Sequence, residues 1–383
     1  MSKGLTSFRA LAFFAIFLTH IKSVGSKHLG IDAGYVGVLG FFVLSGFLLT
    51  PILVEMKSSL SRKDFFIHFY GRRFLRIFPL YYAYIALIAS ISYFAIHQYG
   101  KSKLNLIDEQ LIYQSRYFIM QLPWTISYTY DLYAVTNFIK LSFFATHFWS
   151  LAIEEQFYLV WPLAIYLLSS SQLKRFLLLV ILAAPLMRSL LALVIHMHLL
   201  PVRPYIPLDI WVLPFSHVDA FALGGYFALY GKRRSSYFVW GAMLLVIIVG
   251  MLTTWLSKGE IIWEQLGYGY RMEDSYKYIW GYSVVDLIFA FALVQVRNKT
   301  FMPALFENSL LVYLGKISYG LYVFHYPIIW LVYVYMRDFP EIARASTALL
   351  ASIMISLVSY EFFEKRFIEM KDKYFARAST AGT

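Results

Sequence analysis

The sequence predicts an all-α integral membrane protein of about ten transmembrane helices with both termini on the cytoplasmic side. Apolar runs of roughly 18 residues or more recur from end to end, the length a helix needs to cross about 30 Å of hydrocarbon. The composition is 60% hydrophobic and 15% charged, with a mean hydropathy of +0.60. A soluble chain of 383 residues could not bury so much apolar surface. The basic residues, finally, cluster between the apolar runs, as they do where charge sets membrane orientation.

Taken in order, the runs place spans near residues 5–22, 34–54, 77–97, 148–168, 175–197, 212–230, 237–256, 279–296, 312–335 and 345–363. The first has no small-residue cleavage site after it and reads as a retained span, not a removed signal. If the ends and alternate connections are cytoplasmic, that side holds 19 Lys and Arg residues against 12 in the much longer outer connections. The outer segment 98–147 carries an apolar run, Leu111 to Leu122, that is too brief to span and reads as an interfacial or re-entrant helix. Its many Tyr, Trp and Phe residues suit an aromatic belt at the interface, with stacking on sugar rings as the other reading. The membrane domain is expected over 1–365, followed by a short basic cytoplasmic tail over 366–383.

The net charge of +12 and pI near 9.5 belong to those inter-span clusters, so no nucleic-acid partner is expected. With no cysteine, disulfides, thiolate metal sites and a cysteine acyl-enzyme are excluded. No metal or permanently bound cofactor is expected. Neither an internal repeat nor paired interrupted helices of the transporter kind are evident.

Ionisable groups inside spans are costly and mark candidate sites. Arg9 and His20, eleven residues apart on the first span, share nearly one helix face at about 16 Å axial separation; a structural hydrogen-bonding role for the histidine stays open. Arg73 and Arg76, i and i+3 after Arg72, could grip phosphates bidentately, although composition alone makes them a positive-inside anchor. Ser150, Glu154 and Tyr158 form one polar stripe behind Trp149, near the outer end of the fourth span. Glu155 lies about 100° round the helix. His217 and Asp219 precede Gly224-Gly225 in the sixth span, and Ser318, Tyr322 and His325 share a face of the ninth. Arg188, in mid-span, needs a carboxylate partner. Gly37, Gly40, Ser45 and Gly46 suit close helix packing. This reading puts the arginines at 72–76 at the inner surface, and His20, Glu154, Asp219 and His325 in the middle or outer half.

In this order the pieces resemble the acyltransferase-3 family of membrane acyltransferases, which includes O-antigen and other polysaccharide O-acetylases. They are Arg9 with ten residues before His20, the run Gly40 to Phe47, Arg73 to Arg76 before Pro79, and Trp149 to Tyr158. Asp219-Ala220 with Gly224, Ile317-Ser318-Tyr319 to His325, and Tyr360 with Phe363-Glu364-Lys365 complete the set. Arg366 stands where a proline often follows Glu-Lys in the family.

The resemblance implies transfer of an acetyl or short acyl group from cytoplasmic acyl-CoA to a hydroxyl of an extracytoplasmic glycan or glycolipid, in the inner (plasma) membrane. His20 would be general base or transient acyl carrier, and Glu154 would orient or charge-balance it. Arg9, Arg73 and Arg76 would hold the CoA phosphates. Trp149, Ser150, Tyr158, Asp219, Tyr319, His325 and Arg188 would support the site or touch substrate. Some members append an esterase-like domain; this chain, ending soon after its last span, is expected to work without one. The competing reading is an exporter of a lipid-linked sugar.

Overall fold

The computed structural model describes residues 2–25, 34–99, 106–137, 140–199, 206–269 and 272–375. Within them there is no strand. The helices are α1 (Lys3–Ser23), α2 (Gly34–Ser59), α3 (Arg62–Tyr99), α4 (Leu106–Ile126), α5 (Tyr130–Asn137), α6 (Phe148–Leu167), α7 (Ser170–His196) and α8 (Ile206–Val212). They continue as α9 (Val218–Tyr230), α10 (Ser236–Lys258), α11 (Lys277–Arg297), α12 (Pro303–Phe306), α13 (Ser309–Lys316), α14 (Ser318–Tyr335), α15 (Glu341–Ser359) and α16 (Lys365–Tyr374).

Among the described residues seven helices are long and apolar enough to cross a membrane, and nine if two bent pairs each count as one span. The chain is therefore a multi-pass membrane protein, with fewer clear spans than the ten expected. The difference is α6: its 20 residues are long enough, but Glu154, Glu155 and Gln156 lower its hydropathy. Both bent pairs fall on expected spans. Ile206–Val212 and Pro214–Tyr230 meet at 78°, and Ser309–Lys316 and Ser318–Tyr335 at 74°. The expectation of no interrupted helices is thus corrected. Pro214 explains the first break, because it cannot continue the hydrogen-bond ladder of the preceding turn.

The helix of the last expected span runs on through a π-helical turn, Tyr360–Glu364, into α16. Arg366 permits this, where a proline would have broken the ladder.

The helices sort into two compact units. The first comprises Met1–Pro51 and Leu167–Ser318. Its helices touch backbone to backbone wherever glycine permits. A Cβ on Gly46 would lie 2.0 Å from the Phe221 carbonyl oxygen, and one on Gly224 would lie 2.0 Å from that of Val43. Thus α2 and α9 approach through a reciprocal pair of glycines, the small-residue packing expected of membrane helices. Gly315 meets the Thr6 carbonyl in the same way, joining α13 to α1. On α7 and α10 the large apolar residues face outward, among them Leu179, Leu182, Leu186, Leu244, Leu245 and Leu252. A soluble protein could not carry so extended an exposed apolar surface.

The second unit comprises Ile52–Tyr166 and Tyr319–Thr383. Its axis is α3, whose 38 residues run about 57 Å, nearly twice a membrane's hydrocarbon depth. Different partners cover its two halves. Along the first half α6 runs antiparallel: Tyr70 donates to the Leu159 carbonyl at 3.0 Å, and Tyr166 packs on Phe65 and Phe66. The start of α6, Phe148, reaches Tyr81 and Tyr84. Along the second half lies α4, whose C-terminal carbonyls at Thr125 and Ile126 accept from Tyr81 and Tyr82. The brief apolar run from Leu111 to Leu122 sits in a 21-residue helix that turns back beside α3 to its middle. Gln121 holds that return: its side chain donates to the Lys140 carbonyl and accepts from Tyr130 and from the Ser142 amide.

Candidate functional site

In the first unit, α1 carries Arg9 and His20, both half-buried. His20 lies in the last turn of α1. The sixth-span residues separate into two structural groups. His217, buried against the rings of Phe42, Trp211 and Tyr282, donates through Nε2 to the Trp211 carbonyl at 2.7 Å. Asp219 is the carboxylate that Arg188 required.

The Arg188–Asp219 pair is fully buried and closed on itself. The Arg188 Nη atoms donate to both Asp219 oxygens at 3.1 and 3.0 Å, to the Ser216 carbonyl at 2.6 Å and to Ser283 Oγ at 2.5 Å. Its Nε donates to the Ile279 carbonyl at 2.6 Å. All five N–H donors of a guanidinium are therefore spent within the protein. The Ser283 hydroxyl in turn donates to Asp219 Oδ2 at 2.5 Å. Arg188 and Asp219 thus tie α7, α9 and α11 together, and Arg188 has no donor left for a substrate. Asp286, one turn beyond Ser283 and fully buried, was missed in the sequence. It makes no hydrogen bond through either carboxyl oxygen among the described residues.

The second unit gathers the other candidates. The Tyr158 hydroxyl donates to Glu154 Oε1, and the Arg73 guanidinium sits 5.1 Å over the Tyr158 ring and 5.9 Å from that of Phe69. Arg76, a turn further on α3, interacts electrostatically with Glu364, Tyr360 and Tyr158. The expected separation in depth between the arginines and Glu154 is overturned here. The charge pattern placed 72–76 at the inner end of a span 77–97, but α6 packs on the first half of the longer α3 and brings Glu154 level with Arg73.

The three arginines of that turn have different surroundings. Arg72 donates to Asp372 at 3.2 Å and to the Phe375 carbonyl, fastening α16 to α3. Arg73 and Arg76, both half-buried, make no hydrogen bond to protein among the described residues. A planar fork steadied by aromatic faces, with its N–H groups unspent, is suited to an anion with several oxygens.

Ser150, Tyr322 and His325 form a further group around His147, which the sequence reading passed over. The Tyr322 hydroxyl donates to the His147 carbonyl at 2.8 Å and accepts from Ser150 Oγ at 2.5 Å. His147 Nε2 donates to the Val323 carbonyl at 3.2 Å, and its ring lies 5.3 Å from that of His325. His325 Nδ1 donates to the Tyr322 carbonyl at 2.8 Å. Tyr319, buried, pins α14 to α3 through the Ile77 carbonyl at 2.8 Å. Trp149 is half-buried at the start of α6. Glu364, in the π turn, accepts from Ser359 at 3.1 Å. Among the described residues no cluster of three or more His, Asp or Glu could hold a metal ion.

These polar constellations, held inside a bundle of apolar helices, define a membrane protein with buried ionisable sites. The acyltransferase domain family matches residues 2–361, and the chain belongs to that family. It is 26% identical over 382 residues to the peptidoglycan O-acetyltransferase OatA of Listeria monocytogenes, covering 94% of this chain and 55% of that protein. It is 27% identical over 378 residues to the O-acetyltransferase OatA of Staphylococcus aureus, covering 94% of this chain and 56% of that one. The chain thus spans about half the length of the curated relatives it matches. No solved structure gives a significant match.

Proposed function

We propose that this chain is an O-acyltransferase of the cell (plasma) membrane. It takes an acetyl or short acyl group from cytoplasmic acyl-CoA and delivers it to a hydroxyl of an extracytoplasmic glycan. Both termini lie in the cytoplasm, and the span count reaches ten with α6 included. The observation that carries the reading is the pair Arg73 and Arg76, whose N–H donors are unspent among the described residues, with Arg73 over the ring of Tyr158, the hydrogen-bond partner of Glu154. They hold the phosphates of the donor.

His20 takes the proton of the acceptor hydroxyl as its oxygen attacks the thioester carbonyl, and the C–S bond breaks to release CoA as its thiol, which regains that proton. If His20 instead carries the acyl group, a ring nitrogen attacks the thioester carbonyl, the C–S bond breaks and the imidazole N–H proton goes to the departing thiolate; the acceptor hydroxyl then displaces the imidazole and returns its own proton to the ring. Glu154, the other candidate, is held in place by Tyr158. The names of the relatives, O-acetyltransferases of which one acts on peptidoglycan, support a cell-wall glycan as acceptor.

The test is transfer of labelled acetyl from acetyl-CoA to surface glycan in inverted membrane vesicles. Wild type should label; His20→Ala should not, and Arg73→Ala with Arg76→Ala should raise the KM for acetyl-CoA about tenfold or more, each lost charge-assisted hydrogen bond being worth about 1.5–3 kcal/mol. Unchanged labelling by the His20 variant would sink the mechanism. The two bent helix pairs favour a second reading, a transporter for a lipid-linked sugar. Sugar translocation without acetyl transfer would select it.

A further inference from the structure

The second unit has a cavity of about 440 Å³ lined by Glu109, Gln110, Tyr113 and Gln114 of α4 with Phe143 and Trp330. That volume lies within the range of small-molecule sites, about 300–1,000 Å³. We propose that this cavity binds a sugar ring of the acceptor glycan, an assignment that rests on the acyltransfer reading above and on its outer location for α4.

The lining argues for an uncharged, hydroxyl-rich ring. Phe143 and Trp330 lie nearly parallel, at 18° with centroids 6.3 Å apart, and form one apolar wall. Tyr113, half exposed and packed on Tyr117 with centroids 4.5 Å apart, supplies another aromatic face. Aromatic faces of this kind receive the C–H face of a pyranose through weak contacts that add to apolar burial. The polar groups are of the type that meets hydroxyls. Gln114 is held by the Phe143 amide, which donates to its Oε1 at 2.9 Å, so its Nε2 donors remain to meet a ligand oxygen. Glu109 and Gln110, both exposed, add a carboxylate and a second carboxamide at the rim.

The same lining disfavours the other occupants of such a place. It contains no Lys or Arg, so a phospholipid headgroup or a CoA phosphate finds no cation. An acyl chain would leave the acid and both amides without partners. The site is also built rather than incidental. Ser142 Oγ donates to the Gln114 carbonyl at 3.0 Å, and Gln121 accepts from the Ser142 amide, so one network fixes the segment before Phe143 against α4.

The experiment uses the full chain in lipid nanodiscs and soluble glycan fragments cut from peptidoglycan as the probe, with binding read by calorimetry. Tyr113→Ala and Glu109→Ala change exposed side chains and should leave the fold intact. Each should weaken fragment binding about tenfold, or about 1.4 kcal/mol. In the transfer assay the same variants should raise the KM for fragments by the same factor, leaving kcat and the KM for acetyl-CoA unchanged. Unaltered binding in both variants overturns the cavity assignment, as does quenching of tryptophan by brominated lipid that fragments cannot relieve in wild type but Trp330→Phe abolishes. Those results leave the acyltransfer reading standing if vesicles still label their own glycan. Conversely, fragment binding that is lost in Tyr113→Ala while wild type transfers no acetyl keeps the cavity and overturns the reaction.

Discussion

Replacing Arg188 by Lys keeps the positive charge but leaves three N–H donors where five were used. At least two of the groups now served, the Ile279 and Ser216 carbonyls, Ser283 Oγ and the two Asp219 oxygens, must then go without a partner in a fully buried setting. Interhelical hydrogen bonds in membranes average about 0.6 kcal/mol, which sets a floor near 1 kcal/mol. Buried unsatisfied groups cost about 1–3 kcal/mol each, which puts the expected loss at about 2–6 kcal/mol. Arg188→Met removes the charge as well and strands Asp219, for about 3–5 kcal/mol. Thermal unfolding of the detergent-solubilised chain reads these as falls in Tm, at about 2–4 °C per kcal/mol for a domain of this size. Adding Asp219→Leu to Arg188→Met should recover part of the loss, since the stranded carboxylate is then gone. A Tm for Arg188→Lys within about 1 °C of wild type would refute the claim that this guanidinium is a filled structural node.

Other outcomes follow from the same geometry. Gly46→Ala or Gly224→Ala would drive a methyl into a facing carbonyl 2.0 Å away, forcing α2 and α9 apart at a cost of about 1–3 kcal/mol or more, checked by the same unfolding assay. Asp131, outside the membrane-spanning segments, is pushed up to about 6 by burial, against an unfolded value of 3.8. The native state therefore prefers the protonated acid, and stability should fall as pH rises from about 4 to above 6, by up to about 3 kcal/mol. Asp131→Asn, which keeps a carbonyl to accept from Gln156, should flatten that dependence; an unchanged pH profile would remove the cause assigned. Arg72→Ala should release α16 to proteolysis without altering the KM for acetyl-CoA, whereas Arg73→Ala should do the reverse. Tyr319→Phe, losing one bond to the Ile77 carbonyl while keeping its ring, should cost about 1 kcal/mol in unfolding.

The membrane character and the placement of most helices were legible because apolar runs and their basic flanks report directly on lipid contact. The need of Arg188 for a carboxylate was legible too, since an unpaired guanidinium cannot be held in hydrocarbon; its choice of Asp219 was not, because Ser216, Ser283 and Ile279 join it only in the folded bundle. The bend at Pro214 had a signal in the sequence. The one before Ser318 had none, as neither Gly nor Pro stands at the break itself. Depth in the second unit misled for a definite reason. Hydropathy locates the most apolar part of α3, at 77–97, but α6 pairs with the part before it. His147 escaped notice because it precedes the apolar run of α6 and has no periodic partner on its own helix. Its neighbours Tyr322 and His325 come from far along the chain.

The π turn at Tyr360–Glu364 has a consequence for the helix that follows it. One surplus residue in a turn rotates everything downstream by about 100° about the axis. The setting found here is the one in which Asp372 meets Arg72 and the ring of Phe375 fills the space over Gly71. Deleting a single residue from the turn would lengthen no loop. It would nonetheless swing α16 out of phase, turning Asp372 and Phe375 away from α3. The bulge works as a clocking key, and the angle it fixes sets which face of α3 the last helix covers.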